Sequence, residues 1–225
     1  MQETFYKEFH EIMKRGCEAF DYGEIHFDEL MSREVAHRLF GARPYGPGAA
    51  FPSRQLTKDS MRILKSKNRC RKDWAEYCFD ANWDLLYSRH YSDGKLDCTV
   101  LHYWIDGINY SRFFFQDSAD FYKYEIFSVK FDEKKPVCCT LSSRTRVYVE
   151  YYEDHPDDDT HALKDFTWFN YYPERLFSEK GIPLTKDAPF NAPNSPVDYG
   201  KGTIKLFLGE ERQQLADAAN CWLIV

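Results

Sequence analysis

The chain lacks a C-x-x-C pair, an even cysteine count and a continuous apolar stretch near its start, and each absence excludes something. Its seven cysteines, Cys17, Cys70, Cys78, Cys98, Cys138, Cys139 and Cys221, mostly sit in apolar runs, where a free thiol behaves as a small hydrophobe. A disulfide framework is not expected, and a reducing compartment is. The opening segment MQETFYKEFHEIMKRG mixes acids and bases through its apolar positions, unlike a signal peptide or a membrane span, and predicts a cytoplasmic protein. An excess of basic charge is also missing. Thirty Lys and Arg against 36 Asp and Glu give a formal charge of −6, which opposes broad attraction to polyphosphate and makes nucleic acid an unexpected partner.

Catalytic signatures are missing as well. No G-x-S-x-G elbow, H-E-x-x-H pair or P-loop occurs; Gly46-Pro47-Gly48 has no lysine and hydroxyl after it to reach a phosphate. Asp154-His155-Pro156-Asp157-Asp158-Asp159-Thr160-His161 gathers carboxylates and imidazoles within a few residues. It has neither the sixth-position glycine nor the twelfth-position glutamate of an EF-hand, and reads as a solvated turn between strands. No cofactor, metal or catalytic residue is assigned.

Aromatic residues are abundant: 18 Phe, 16 Tyr and 5 Trp, concentrated from about Leu96 to Tyr172. Before that region the apolar spacing is helical. Phe5, Phe9, Ile12, Met13, Gly16, Cys17 and Phe20 share one face of a helix that Gly23 should end. A second helix is expected over Asp28–Phe40 with Asp28 as N-cap, followed by the Gly/Pro-rich segment Gly41–Pro52. The basic cluster between Leu56 and Asp73 reads as an exposed face of a short helix begun by Thr57. Arg71–Tyr87 reads as a buried helix apolar on two sides.

From Leu96 the period becomes two. Leu96–Ile105 and Ile108–Phe115 flank Asp106-Gly107, the signature of a hairpin with a type I′ turn. Further strands are expected at Tyr122–Phe131, Pro136–Leu141, Arg146–Tyr152, Phe166–Tyr172 and Thr203–Leu208, with Cys138 and Cys139 facing opposite sides in structural roles. In Arg146–Tyr152, Val147, Val149 and Tyr151 form the core face, while Arg146, Tyr148, Glu150 and Tyr152 form an amphipathic one. A helical turn after Pro173, a proline-rich excursion Gly181–Gly202, a helix over Glu210–Ala219 and an apolar tail Cys221–Val225 complete the chain. The fold expected is α+β: N-terminal helices, a mainly antiparallel aromatic-rich sheet and a short C-terminal helix. Residues 1–52 form the helical region and its loop, and residues 53–225 the α+β domain.

The string TLSSRTRVYVEYYEDHPDDDTHALKDFTWFNYY, from Thr140, resembles the C-terminal part of bacterial immunity proteins that neutralise LXG-type polymorphic toxins. The similar positions are the aromatic and charged strand Val147–Asp154, the acidic connector Glu153–Asp159 and the strand end Trp168–Tyr172, with Leu101–Phe115 similar to the family's central hairpin. They cover about a third of the chain. The resemblance implies stoichiometric inhibition of a cognate toxin, an acidic surface covering a basic active site, and no catalytic group.

These readings converge on an intracellular protein-binding module of immunity or inhibitor type. Its partner-binding residues are expected to be Tyr148, Glu150, Tyr152, Glu153, Asp154, Asp157, Asp158 and Asp159, with Trp168 supporting the sheet. The alternative is a hydrolase or transferase with a pocket between helices and sheet, using His102, His155 or His161 as acid–base or metal-binding groups. A third reading makes the tail Cys221–Val225 a docking segment.

Overall fold

The computed structural model describes residues 2–41, 63–64, 67, 72–116, 126–132, 135–142, 146–157, 163–171 and 197–205. An eleven-stranded antiparallel sheet dominates them. Its strands are β1 (His37–Gly41), β2 (Ile63–Leu64), β3 (Trp74–Phe79), β4 (Leu85–Ser92), β5 (Lys95–Ile105), β6 (Ile108–Phe115), β7 (Ile126–Asp132), β8 (Lys135–Ser142), β9 (Val147–Asp154), β10 (Leu163–Tyr171) and β11 (Val197–Lys205). From β3 to β11 each strand lies beside its neighbours in sequence, and β1 sits between β3 and β2. The hairpin of β5 and β6 closes as expected, with Tyr103 opposite Tyr110 and positive φ at both Asp106 (50°) and Gly107 (74°). Asp93-Gly94 makes the same turn between β4 and β5, with φ of 49° and 77°.

Two helices accompany the sheet, α1 (Gln2–Ile25) and α2 (Phe27–Met31). The sheet wears α1 on one face because that helix carries an apolar stripe with small residues set into it. Phe9 and Ile12 pack with Val147, Val149, Phe169 and Tyr171, and Ala19 packs with Leu101, Tyr103 and Ile126. Gly16 lies directly over the Ser142 side chain, and Tyr103 donates a hydrogen bond to the Ala19 carbonyl (2.7 Å). Gly23 does not end the helix. A Cβ there would stand 2.5 Å from the Tyr103 hydroxyl, so its missing side chain serves close approach and not termination.

The second and third expected helices are corrected. Over Asp28–Phe40 only a short α2 forms, closed when the Ser32 hydroxyl donates to the Glu29 carbonyl (2.8 Å), and β1 begins at His37. Arg71–Tyr87 is not a buried helix; its described residues lie in β3, in the start of β4 and in the turn between them. All six residues of β3 are buried, and a run apolar on both sides is as much the mark of a strand covered on both faces as of a buried helix. The turn is set by Asp80, whose carboxylate accepts from the amides of Asn82 (2.8 Å) and Asp84 (2.9 Å). Within the basic cluster, Ile63–Leu64 pair with β1 as a strand and Lys67 lies over the Trp74 ring. The expected turn after Pro173, the helix over Glu210–Ala219 and the tail Cys221–Val225 lie outside the described residues, as does the first part of Gly181–Gly202. Its last part, from Val197, is in β11.

Candidate partner-binding surface

Strand β9 carries most of the residues expected to meet a partner, and the structure divides them. Alternation along the strand is as expected, with Val147, Val149 and Tyr151 toward α1. The opposite face is not an open amphipathic surface. It holds a second packed layer of Val100, Phe113, Phe127, Val129, Cys139 and Tyr152. Glu150 is fully buried there at 0% exposure, Tyr152 is buried and Tyr148 half-buried. The Tyr148 hydroxyl donates to one Glu150 oxygen (2.6 Å) and the Tyr152 hydroxyl to the other. Burial, with the nearby Cys139 and Glu150, holds the Tyr152 phenol well above its ordinary range. Placing Tyr148, Glu150 and Tyr152 on the binding surface is therefore corrected: these three hold β9 together internally.

The rest of the expected set lies at the strand end. Glu153, Asp154 and Asp157 are exposed, while Asp158 and Asp159 lie outside the described residues. Asp154 pairs with Lys164, a lysine only 5% exposed, and the Asp157 amide donates to the His155 ring (3.1 Å). Trp168 supports the sheet. Its indole covers Gly200 of β11, where an added Cβ would meet the ring at 2.6 Å, and it stacks with Tyr148 at 6.1 Å between centroids.

Antiparallel order brings the connections β3–β4, β5–β6, β7–β8 and β9–β10 to one end of the sheet. With strands ~4.8 Å apart, successive connections on that end lie ~10 Å from each other. Exposed carboxylates recur along it: Asp106 in the β5–β6 turn, Asp132 at the end of β7, Glu153 and Asp154 at the end of β9, and Asp157 just beyond it. Beside them stands Trp104, 44% exposed and packed on Phe131 at 5.8 Å between centroids. Sequence reasoning missed Trp104 and Asp132. The available signal was their position, since each lies within two residues of a strand end on the side of the sheet that the Asp106-Gly107 turn defines.

The catalytic alternative needs an imidazole in a pocket between helix and sheet. A cavity of about 280 Å³ does lie between α1 and strands β6 to β9, but neither His102 nor His155 lines it. His102 projects from the other face, where its ring meets Ser111 (2.8 Å) and Ser88 (3.5 Å), and Ser88 also contacts His90 (3.0 Å). Burial pushes His102 down to about 3, with a further lowering from His90. His155 faces Asp165 at 4.0 Å, and His161 lies outside the described residues. Among the described residues no three His, Cys, Asp or Glu side chains are grouped to hold a metal ion, and no helix is long and apolar enough to cross a membrane. Cys139 is buried in the layer opposite α1, whereas Cys138 lines the cavity; burial pushes its thiol up to about 12.

Comparison with known protein families, with curated proteins and with solved structures finds no match.

Proposed function

We propose that this protein is a stoichiometric binder of another protein, of immunity or inhibitor type, acting in the cytoplasm on a partner with a basic surface. The observation that carries the reading is the end of the sheet where Asp106, Asp132, Glu153 and Asp157 are exposed in successive connections beside the exposed Trp104. Acids spaced ~10 Å apart are separated by slightly more than the ~8 Å Debye length at physiological salt, but a cation that docks between two of them is within reach of the field of both. Such a field raises the encounter rate, while a tryptophan flanked by charge supplies the desolvated anchor on which interface energy concentrates.

The test is affinity purification of the tagged chain from its native cells, with mass spectrometry on the eluate, followed by kinetics with the recovered partner. A near-stoichiometric basic protein is expected, bound with an association rate that falls about tenfold or more in Asp106→Lys/Asp132→Lys/Asp157→Lys. A chain that elutes without a partner, or an association rate unmoved by the triple reversal, removes this reading.

A further inference from the structure

The cavity under α1 has a mixed, mostly apolar lining into which several polar groups are set. Its floor carries the side chains of Ser128, Thr140 and Ser142, all buried, from two adjacent strands. Ser128 and Thr140 hydrogen-bond each other at 2.6 Å, and Cys138 stands beside them. Ile12 and Gly16 of α1 contribute to the roof, and the exposed Arg15 and Lys130 stand at the wall. Glu8, which accepts a hydrogen bond from Tyr151 (2.6 Å), also lines it, as do the apolar Ile108 and Val137. The charges of the wall act on the interior: at the Cys138 thiol Glu8 adds to the upward push of burial, while Lys130 and Arg15 oppose it. At about 280 Å³ the space has room for roughly ten water-sized bodies. A void with apolar walls stays dry, whereas hydroxyl-lined space of this size holds water or a polar ligand that replaces it.

We propose that this cavity binds a small hydroxylated anion, a sugar phosphate or a hydroxy acid, with its anionic group held by Arg15 and Lys130 and its hydroxyls by Ser128, Thr140 and Ser142. Arg15 and Lys130 are two cations against the one carboxylate of the lining, Glu8, so an anion held between them restores the balance. The three hydroxyls both donate and accept, which suits a ligand bearing hydroxyls of its own. The cavity lies beside the acidic end of the sheet, with Ile108 and Lys130 within two residues of Asp106 and Asp132, but the proposal does not depend on a protein partner.

Isothermal titration of the full chain with glucose 6-phosphate, citrate and inorganic phosphate at millimolar concentration tests it. Saturable binding of glucose 6-phosphate or citrate is expected, at least tenfold tighter than inorganic phosphate, and weakened at least tenfold in the surface variant Lys130→Glu. Filling the cavity with Cys138→Phe should abolish the signal, with circular dichroism confirming that the variant is folded; Arg15→Ala, at an exposed position, provides a second variant with no packing change. The proposal is overturned if neither organic anion binds, if inorganic phosphate binds as tightly as both, or if binding survives Lys130→Glu and Arg15→Ala unchanged.

Discussion

At Glu150 two phenols converge on one buried carboxylate, and the three side chains come from alternate positions of a single strand. Glu150→Leu fills the space but leaves both phenols without this acceptor. The expected loss is about 2–3 kcal/mol, read as a lower urea midpoint, and Glu150→Gln should lose less because an amide oxygen still accepts. His102 gives the protein a pH dependence whose sign follows from its environment. Its folded value lies near 3 against an ordinary value of 6.5, so below 6.5 the unfolded chain takes up a proton that the folded chain refuses. The stability it contributes is complete above 6.5 and is lost as pH falls toward 3, at up to on the order of 1 kcal/mol per pH unit. Urea midpoints at about pH 7 and about pH 4.5 should differ more in the native chain than in His102→Gln. Equal differences would assign the acid sensitivity to other groups.

Among the elements, α1 depends on residues whose absence of bulk is their contribution. In an isolated helix Gly23→Ala gains about 1 kcal/mol of propensity. Here the new methyl meets the Tyr103 hydroxyl at 2.5 Å and the Arg112 side chain at 3.0 Å, and a net destabilisation of about 1–3 kcal/mol is expected. Calorimetry should place its Tm lower by several degrees. The strands β5 to β10 were legible because alternation and the Asp106-Gly107 turn agree, so period and turn chemistry fix one register; β11, most of which lies in the proline-rich Gly181–Gly202, was missed up to Gly202. Nor was the segment 71–87 legible, for a physical reason. A strand buried on both faces has no exposed polar side to alternate with, since even Glu76 is buried, and Trp74, Tyr77 and Cys78 fall at helical spacing by coincidence. The candidate surface was half legible. Charge placed the acids near the end of β9, but a single strand cannot reveal a second packed layer, and so Glu150 and Tyr152 looked exposed.

For the whole molecule, the sheet's order decides which groups meet a partner together. Asp106, Asp132 and Asp157 are far apart in sequence and share one end only because every hairpin turns back the same way. Replacing Trp104 with Ala should cost about 2 kcal/mol or more of partner affinity, chiefly through faster dissociation, while the charge reversals slow association. Surface plasmon resonance at two salt concentrations separates the two: the charge effect shrinks with salt and the Trp104 effect does not.

The hydrogen bond between His10 and Tyr171 spans 161 residues, whereas almost every strand finds its partner next in line. The sheet can therefore zip up as the ribosome supplies it, but the helix made first has to wait for strands made much later. At roughly 5–20 residues per second, Phe9 and Ile12 remain without Val147 and Tyr171 for roughly ten to thirty seconds. During synthesis α1 thus carries an unburied apolar stripe until those strands arrive, which makes it a segment where a chaperone would engage.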